Sequence, residues 1–129
     1  MRAIDTNVLV RFLANDDPTQ SAKARAIVEA DDVYVSTTVF LETEWVLRSA
    51  YEFEAAQIVD AFESLAGLPG VVLEDPDLLA LALGLAREGL DFADALHLGR
   101  AQGCTAFVTF DRKLVRAARG IGPVEAELA

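Results

Sequence analysis

Cysteine and histidine are almost absent from this chain: Cys104 and His97 are the only ones among 129 residues. A single cysteine excludes an internal disulfide, and one residue of each kind excludes the Cys/His sets that hold structural zinc. Lysine is scarce as well, with Lys23 and Lys113 alone. A phospho-receiver site needs a lysine beside an acidic pocket late in the fold, and Lys113 follows Asp111 too closely to serve. No run of about 18 apolar residues occurs, so no membrane-spanning helix is expected. No G-x-x-x-x-G-K-[ST] or G-x-G-x-x-G motif is present, which removes nucleotide cradling through those loops. One histidine without G-x-S-x-G argues against a serine hydrolase. Asp5-Thr6-Asn7 lacks the second Asp of an aspartyl-phosphate phosphatase. The start, Met-Arg-Ala-Ile-Asp-Thr-Asn, carries no long apolar stretch and no cleavage-like site, so no signal peptide is expected. With the lone cysteine, this points to a cytoplasmic protein. Cys104 is expected to pack as a small buried hydrophobe, and His97 to be structural.

What is present is acidic and apolar. The net charge is −10 and 53% of residues are hydrophobic. The charge argues against a broad nucleic-acid-binding surface, because phosphate attraction needs Lys and Arg. Yet Arg112, Lys113, Arg116 and Arg119 place four of the eleven basic residues in one short stretch. They read either as a solvated helix face or as a local phosphate clamp. A generous apolar fraction serves a core, a partner, or both.

The order of elements is legible from periodicity and breakers. Residues 2–4 read as a short buried strand, and Thr6 to Leu13 as a helix with Val8, Leu9, Phe12 and Leu13 on one side. Asn15-Asp16-Asp17-Pro18 is a turn, and residues 19–30 form an Ala-rich helix. Val33-Tyr34-Val35 is a second strand, Ser36-Thr37-Thr38 an N-cap, and a helix runs to about Ala50. Another spans about Glu54 to Ala66, broken by Gly67, Pro69 and Gly70. Val71-Val72-Leu73 is a third strand. Asp75-Pro76 opens a helix that Gly89 closes. Asp91 caps the next, which is expected to end at Gly103. Residues 106–109 form a fourth strand, Asp111 to Arg119 a last helix, and Pro123 to Glu125 a candidate edge strand. Short apolar strands between long helices predict an α/β fold, a single domain over residues 1–129. The expected architecture is three layers, α/β/α, around a mainly parallel sheet of four to five strands.

In such folds chemistry lies beyond the carboxyl ends of the strands. Asp5 and Asp111 follow strands and can also cap helices. Asp94 shares a helical face with Leu98 and Ala101, and Asp91 lies three residues before it, within reach of the same place. Glu42 and Glu44 border opposite edges of the apolar stripe of their helix, and the wheel does not choose between them. If such acids converge, they need neutralising. Two carboxylates ~5 Å apart repel by about 3 kcal/mol at an effective dielectric of 20. Three mutual pairs approach ~10 kcal/mol, comparable with the stability of a whole domain. Partial protonation, an arginine, or Mg²⁺ or Mn²⁺ would relieve the repulsion.

Asp5-Thr6-Asn7, Glu42, Ala93-Asp94-Ala95-Leu96 and Thr109-Phe110-Asp111, in that order, resemble the PIN-domain family. Within it they resemble the VapC-like toxins of bacterial and archaeal toxin–antitoxin pairs. The resemblance spans nearly the whole chain. It implies a PIN-like fold and a ribonuclease that uses Mg²⁺ or Mn²⁺ to cleave RNA with activated water. The family's metal-binding acids fall on Asp5, Glu42, Asp94 and Asp111, which prefers Glu42 over Glu44 by analogy. Thr6 and Thr109 match supporting polar positions, and Asp91 is an additional nearby carboxylate. Arg112, Lys113 and Arg116 would hold substrate phosphates. A small antitoxin whose segment lies in an apolar groove is implied, and the apolar composition is consistent with a homodimer. Two other readings remain open: a non-catalytic RNA- or protein-binding module whose acids are caps, and a housekeeping nuclease acting on RNA or DNA.

Overall fold

Each strand of the chain is two or three residues long, and each but the last leads within one to three residues into a helix, so the backbone turns out of the sheet almost at once. The computed structural model describes residues 1–129 and divides into two units, Met1–Asp75 and Pro76–Ala129. Seven helices alternate with five strands, and every strand pair is parallel, as the α/β expectation requires.

In the first unit β1 (Arg2–Ala3), β2 (Val33–Val35) and β3 (Val71–Leu73) form a sheet in the order β1-β2-β3. Register pairs Arg2 with Val33 and Val33 with Val71. Because the strands are parallel, Asp5, Ser36 and Glu74 all leave the same edge of this sheet. Four helices connect the strands: α1 (Thr6–Ala14), α2 (Pro18–Ala30), α3 (Thr37–Ser49) and α4 (Ala55–Ala66). Their starts are capped by side chains. Asp5 accepts from Val8 N–H at 3.1 Å, Asp17 from Gln20 N–H at 2.9 Å and Ser36 from Val39 N–H at 3.3 Å. Glu54 and Gln57 form a reciprocal capping box on α4. Each cap is worth about 1 kcal/mol. The core is apolar and tightly filled: Leu9, Val33, Val35, Leu47 and Phe62 are fully buried, and Phe40 packs edge-on to Phe62 with ring centres 5.0 Å apart. A polar clamp ties the far end of α1. Arg11 pairs with Asp16 at 2.9 Å and bonds Gln20, while Tyr51 Oη donates to Asp16 at 2.9 Å.

In the second unit α5 (Pro76–Arg87) packs on α6 (Phe92–Arg100), and β4 (Phe107–Thr109) reaches its parallel partner β5 (Ala126–Leu128) through α7 (Arg112–Ala118). Gly89, at φ +104°, takes the left-handed turn between α5 and α6 that a side chain resists. Gly99 serves another purpose: a Cβ there would collide with Leu78, so the missing side chain lets the two helices approach.

Three expectations need correction. The helix after Asp91 ends at Arg100, and residues 101–103 form turns. The last strand is Ala126–Leu128, beyond the expected Pro123–Glu125, because Pro123 has no N–H to give a ladder and Phe107 N–H bonds Glu125 O. Cys104 lies in the exposed turn after α6, not in the core. No helix is long and apolar enough to cross a membrane.

Removing the ring of Phe62 empties the space against Phe40. Phe62→Ala is expected to cost about 3–5 kcal/mol, read as a fall in the urea midpoint.

Candidate active-site residues

The acids of the first unit separate into a capped, an uncommitted and a committed one. Asp5 is exposed, and its Oδ1 is fixed at the start of α1 by the Val8 N–H, which leaves Oδ2 unused. Thr6, beside it, is buried. Glu42 is exposed on α3 and makes no hydrogen bond or ion pair. Glu44 is 6% exposed and held by Arg48, with Nε to Oε2 at 2.9 Å and Nη2 to Oε1 at 3.3 Å. The two glutamates that the helical wheel leaves equivalent therefore differ in kind. Glu74 was not foreseen. It follows β3, and its Oε1 accepts from Thr37 N–H at 2.8 Å, helping to fix the start of α3. The signal was an acid directly after the strand Val71-Val72-Leu73, the same signal carried by Asp111.

The second unit gathers carboxylates more closely. Asp91 caps α6 by accepting from Asp94 N–H at 3.1 Å. Asp111 caps α7 by accepting from Leu114 N–H at 3.0 Å, and its own N–H donates to Thr109 Oγ1 at 3.0 Å. The Thr109 hydroxyl thus fixes the backbone that carries Asp111. Asp94 is half-buried on the first turn of α6. Burial pushes its carboxyl above the usual aspartate range. The charges of Asp91 and then Asp111 push the same way, and His97 opposes them. So Asp91, Asp94 and Asp111 share one electrostatic neighbourhood. His97 is exposed and stacks on Phe107, with ring centres 6.4 Å apart and planes within 14° of parallel.

Whether these residues suit a divalent cation is a matter of donor chemistry. They offer carboxylate oxygens and no thiolate, which fits Mg²⁺ or Mn²⁺ and not zinc. No three His, Cys, Asp or Glu side chains stand together as a preformed cage. An ion held here would complete its shell largely with water, as Mg²⁺ usually does. The raised proton affinity of Asp94 is what burial, and then neighbouring negative charge, produce.

Beside the acids the charge reverses. Arg112, Lys113, Arg116 and Arg119 are all exposed, and none forms an ion pair. Arg112, Arg116 and Arg119 line a groove of about 250 Å³ with Val115 and Leu128, and Lys113 is not among the lining residues. A wider hollow of about 410 Å³ continues past Arg119 along Gly120 to Ala126. Phe110, between Thr109 and Asp111, is 87% exposed. Arg119 belongs to the basic cluster read from the sequence as a candidate phosphate clamp, whereas Phe110 was given no role of its own there.

The family model described as PIN domain matches residues 3–120. No curated protein matches the chain.

Two predictions follow from the geometry. Ionised Asp94 is disfavoured by folding, so the native state holds its proton to higher pH than the unfolded chain. Stability therefore falls as pH rises through the window just above the ordinary aspartate range, and the full penalty remains at neutral pH. Asp94→Asn is expected to raise the melting temperature of metal-free protein at pH 7, with the gain vanishing on acidification below that window. A lower melting temperature at pH 7 would contradict it. On α3, Glu44→Ala is expected to cost about 1.5–3 kcal/mol in chemical denaturation through its charged hydrogen bonds, while Glu42→Ala stays within about 0.5 kcal/mol of wild type.

Proposed function

Because this chain belongs to the PIN-domain family, whose members are generally nucleases that use divalent metal ions, we propose that it is an Mg²⁺- or Mn²⁺-dependent endoribonuclease and the toxin of a toxin–antitoxin pair. Nuclease activity follows from the family. The RNA substrate, the toxin role and the residues below are our reading. Asp5, Glu42, Asp94 and Asp111 supply the metal-binding carboxylates of one catalytic domain, with Thr6, Thr109 and Asp91 in support.

The observation that carries this reading is the pressure on Asp94. A half-buried carboxylate whose ionised form is disfavoured by burial and by two neighbouring aspartates gains from a nearby cation. A bound Mg²⁺ or Mn²⁺ would make water more acidic and offset charge on the phosphate oxygens. The side chains do the positioning. The caps at Asp5 and Asp111 tie one oxygen of each carboxylate to backbone and leave the other for coordination. Glu42, exposed and unbonded, can approach through water or orient it. Water adds to phosphorus, the bond to the departing ribose oxygen breaks, and a proton passes to that oxygen. The 2′-hydroxyl need not take part.

Arg112, Lys113 and Arg116 give an acidic protein a local hold on RNA phosphates. Exposed Trp45, at 58%, supports a proteinaceous partner such as an antitoxin segment or a second copy in a homodimer. A cytoplasmic setting belongs to the same proposal, on the strength of the single cysteine.

A second reading has an observation in its favour. Asp5, Asp91 and Asp111 each cap a helix, which explains their presence in a binding module without catalysis. One substitution separates the two readings, because Asn caps as well as Asp but carries no charge. Asp5→Asn and Asp94→Asn are expected to fold and to lose RNA cleavage in Mn²⁺ or Mg²⁺ by at least about a hundredfold, and to lose the melting-temperature rise that metal gives wild type. Full cleavage in both variants would overturn the assignment. No metal-dependent rise and no cleavage in wild type would favour the binding module. Faster cleavage of DNA than of tRNA or rRNA fragments would favour a housekeeping nuclease.

A further inference from the structure

The last strand of the chain has one side to spare. Phe107 N–H donates to Glu125 O at 2.8 Å and Ala129 N–H to Thr109 O at 2.8 Å, so residues 125, 127 and 129 turn their backbone groups towards β4. These groups alternate in direction along a strand, so the N–H and C=O of Ala126 and Leu128 point the other way. β5 has no neighbouring strand on that side, and no backbone group of the chain reaches them. A row of unpaired donors and acceptors is a template for another strand.

This edge opens beside a basic groove. α7 packs on β5, and Arg112, Arg116 and Arg119 line a space of about 250 Å³ with Val115 and Leu128. Past Arg119 it continues into the hollow of about 410 Å³, which reaches Ala126 and one acid, Glu125. No acid of the protein engages the three arginines. Ala126 and Leu128 thus carry the free backbone groups and also border the arginines. A strand added outside β5 would lie beside α7 and turn every second side chain towards the guanidinium groups. Those groups match carboxylates in a fixed fork.

Two other occupants fit less well. A nucleic-acid strand brings anions, but a phosphate only accepts, and the outward carbonyls of Ala126 and Leu128 stay unmatched. A second copy of the chain brings a suitable ladder, but two-fold pairing through β5 sets one group of arginines beside the other.

We infer that the outer edge of β5, with Arg112, Arg116 and Arg119 beside it, docks an extended acidic segment of a partner protein, which joins the sheet as an added strand. The site stands on the fold of the second unit and not on the nuclease reading. The two meet at Arg112 and Arg116: a segment seated here covers groups assigned above to RNA phosphates and would inhibit cleavage.

The probe is a fluorescent, end-blocked heptapeptide of alternating threonine and glutamate, titrated in EDTA and followed by anisotropy. Methylating every backbone nitrogen leaves its charge intact and is expected to cost at least about tenfold in affinity. Methylating one edge alone, the threonine nitrogens or the glutamate nitrogens, should leave at least one of the two forms binding like the parent. Leu128→Pro deletes an outward N–H and spares the bonds to β4. It is expected to bind about tenfold more weakly than Leu128→Ala, which controls for the side chain. Arg119→Gln should weaken binding by at least about threefold, and Lys23→Gln, an equal loss of charge on α2, should not. The methylated peptides decide the matter on wild-type protein even where Leu128→Pro fails to fold. The site is wrong if the fully methylated peptide binds like the parent, if both one-edge forms are lost, or if Arg119→Gln binds like wild type. An RNA decamer that binds in EDTA where the peptide does not would give the groove to nucleic acid. A dimer that Leu128→Pro dissolves would give the edge to a second copy. Cleavage in Mn²⁺ is scored separately. Peptide binding as expected without cleavage would sink the nuclease reading and leave the site, and cleavage without peptide binding would do the reverse.

Discussion

A carboxylate bonded to a free N–H in the first turn of a helix is the interaction on which this structure is built. Asp5, Asp91 and Asp111 all make it, at 3.0 to 3.1 Å. The bond has two consequences that cannot be separated. It satisfies backbone donors that would otherwise be orphaned where the chain leaves a strand or turn. It also immobilises an acid at a helix N-terminus, where the partial positive charge favours the ionised form. With one oxygen used in the cap, the carboxylate cannot swing away, and the other oxygen keeps a defined direction. Ordinary folding chemistry thus produces oriented carboxylates at little added cost in side-chain entropy.

Asp94 differs because its own side chain caps nothing. It stands in the first turn of α6, half-buried, with the charges of Asp91 and Asp111 acting on it. A site that existed only for stability would place an asparagine or a small apolar residue there. Keeping an aspartate under such pressure is the kind of local conflict that marks functional positions. The contrast with Glu44 is instructive. That carboxylate is buried more deeply, yet Arg48 relieves it through two hydrogen bonds.

The sequence was legible wherever a local rule governs. Strand and helix order, the caps at Asp91 and Asp111, and the parallel pairing all followed from periodicity and from the residue type at each junction. It was illegible where partners come from elsewhere in the chain. Nothing near Asp94 in sequence indicates that Asp111 acts on it, because β4 and its turn supply that neighbour. The choice between Glu42 and Glu44 was within reach: Arg48 lies four residues after Glu44, the spacing of a helical ion pair, whereas Glu42 is followed at that distance by Val46. Cys104 failed because residue-type burial statistics say nothing of a turn, and it lies just past Gly103, whose φ of +95° reverses the chain. The last strand shifted because proline punctuates more strongly than an apolar run attracts.

A PIN-domain nuclease that is itself acidic faces an electrostatic contradiction, and the second unit carries both signs of charge side by side. At a net charge of −10 the long-range field repels a polyanion. Beyond about 8–10 Å that field is screened at physiological salt, so short-range arrangement decides binding. Here the sign changes between adjacent residues: Asp111 ends the acidic group and Arg112 begins the basic stripe. Under the proposed function, a phosphodiester drawn to Arg112 would lie beside Asp111, and the acidic remainder of the surface would add no affinity of its own.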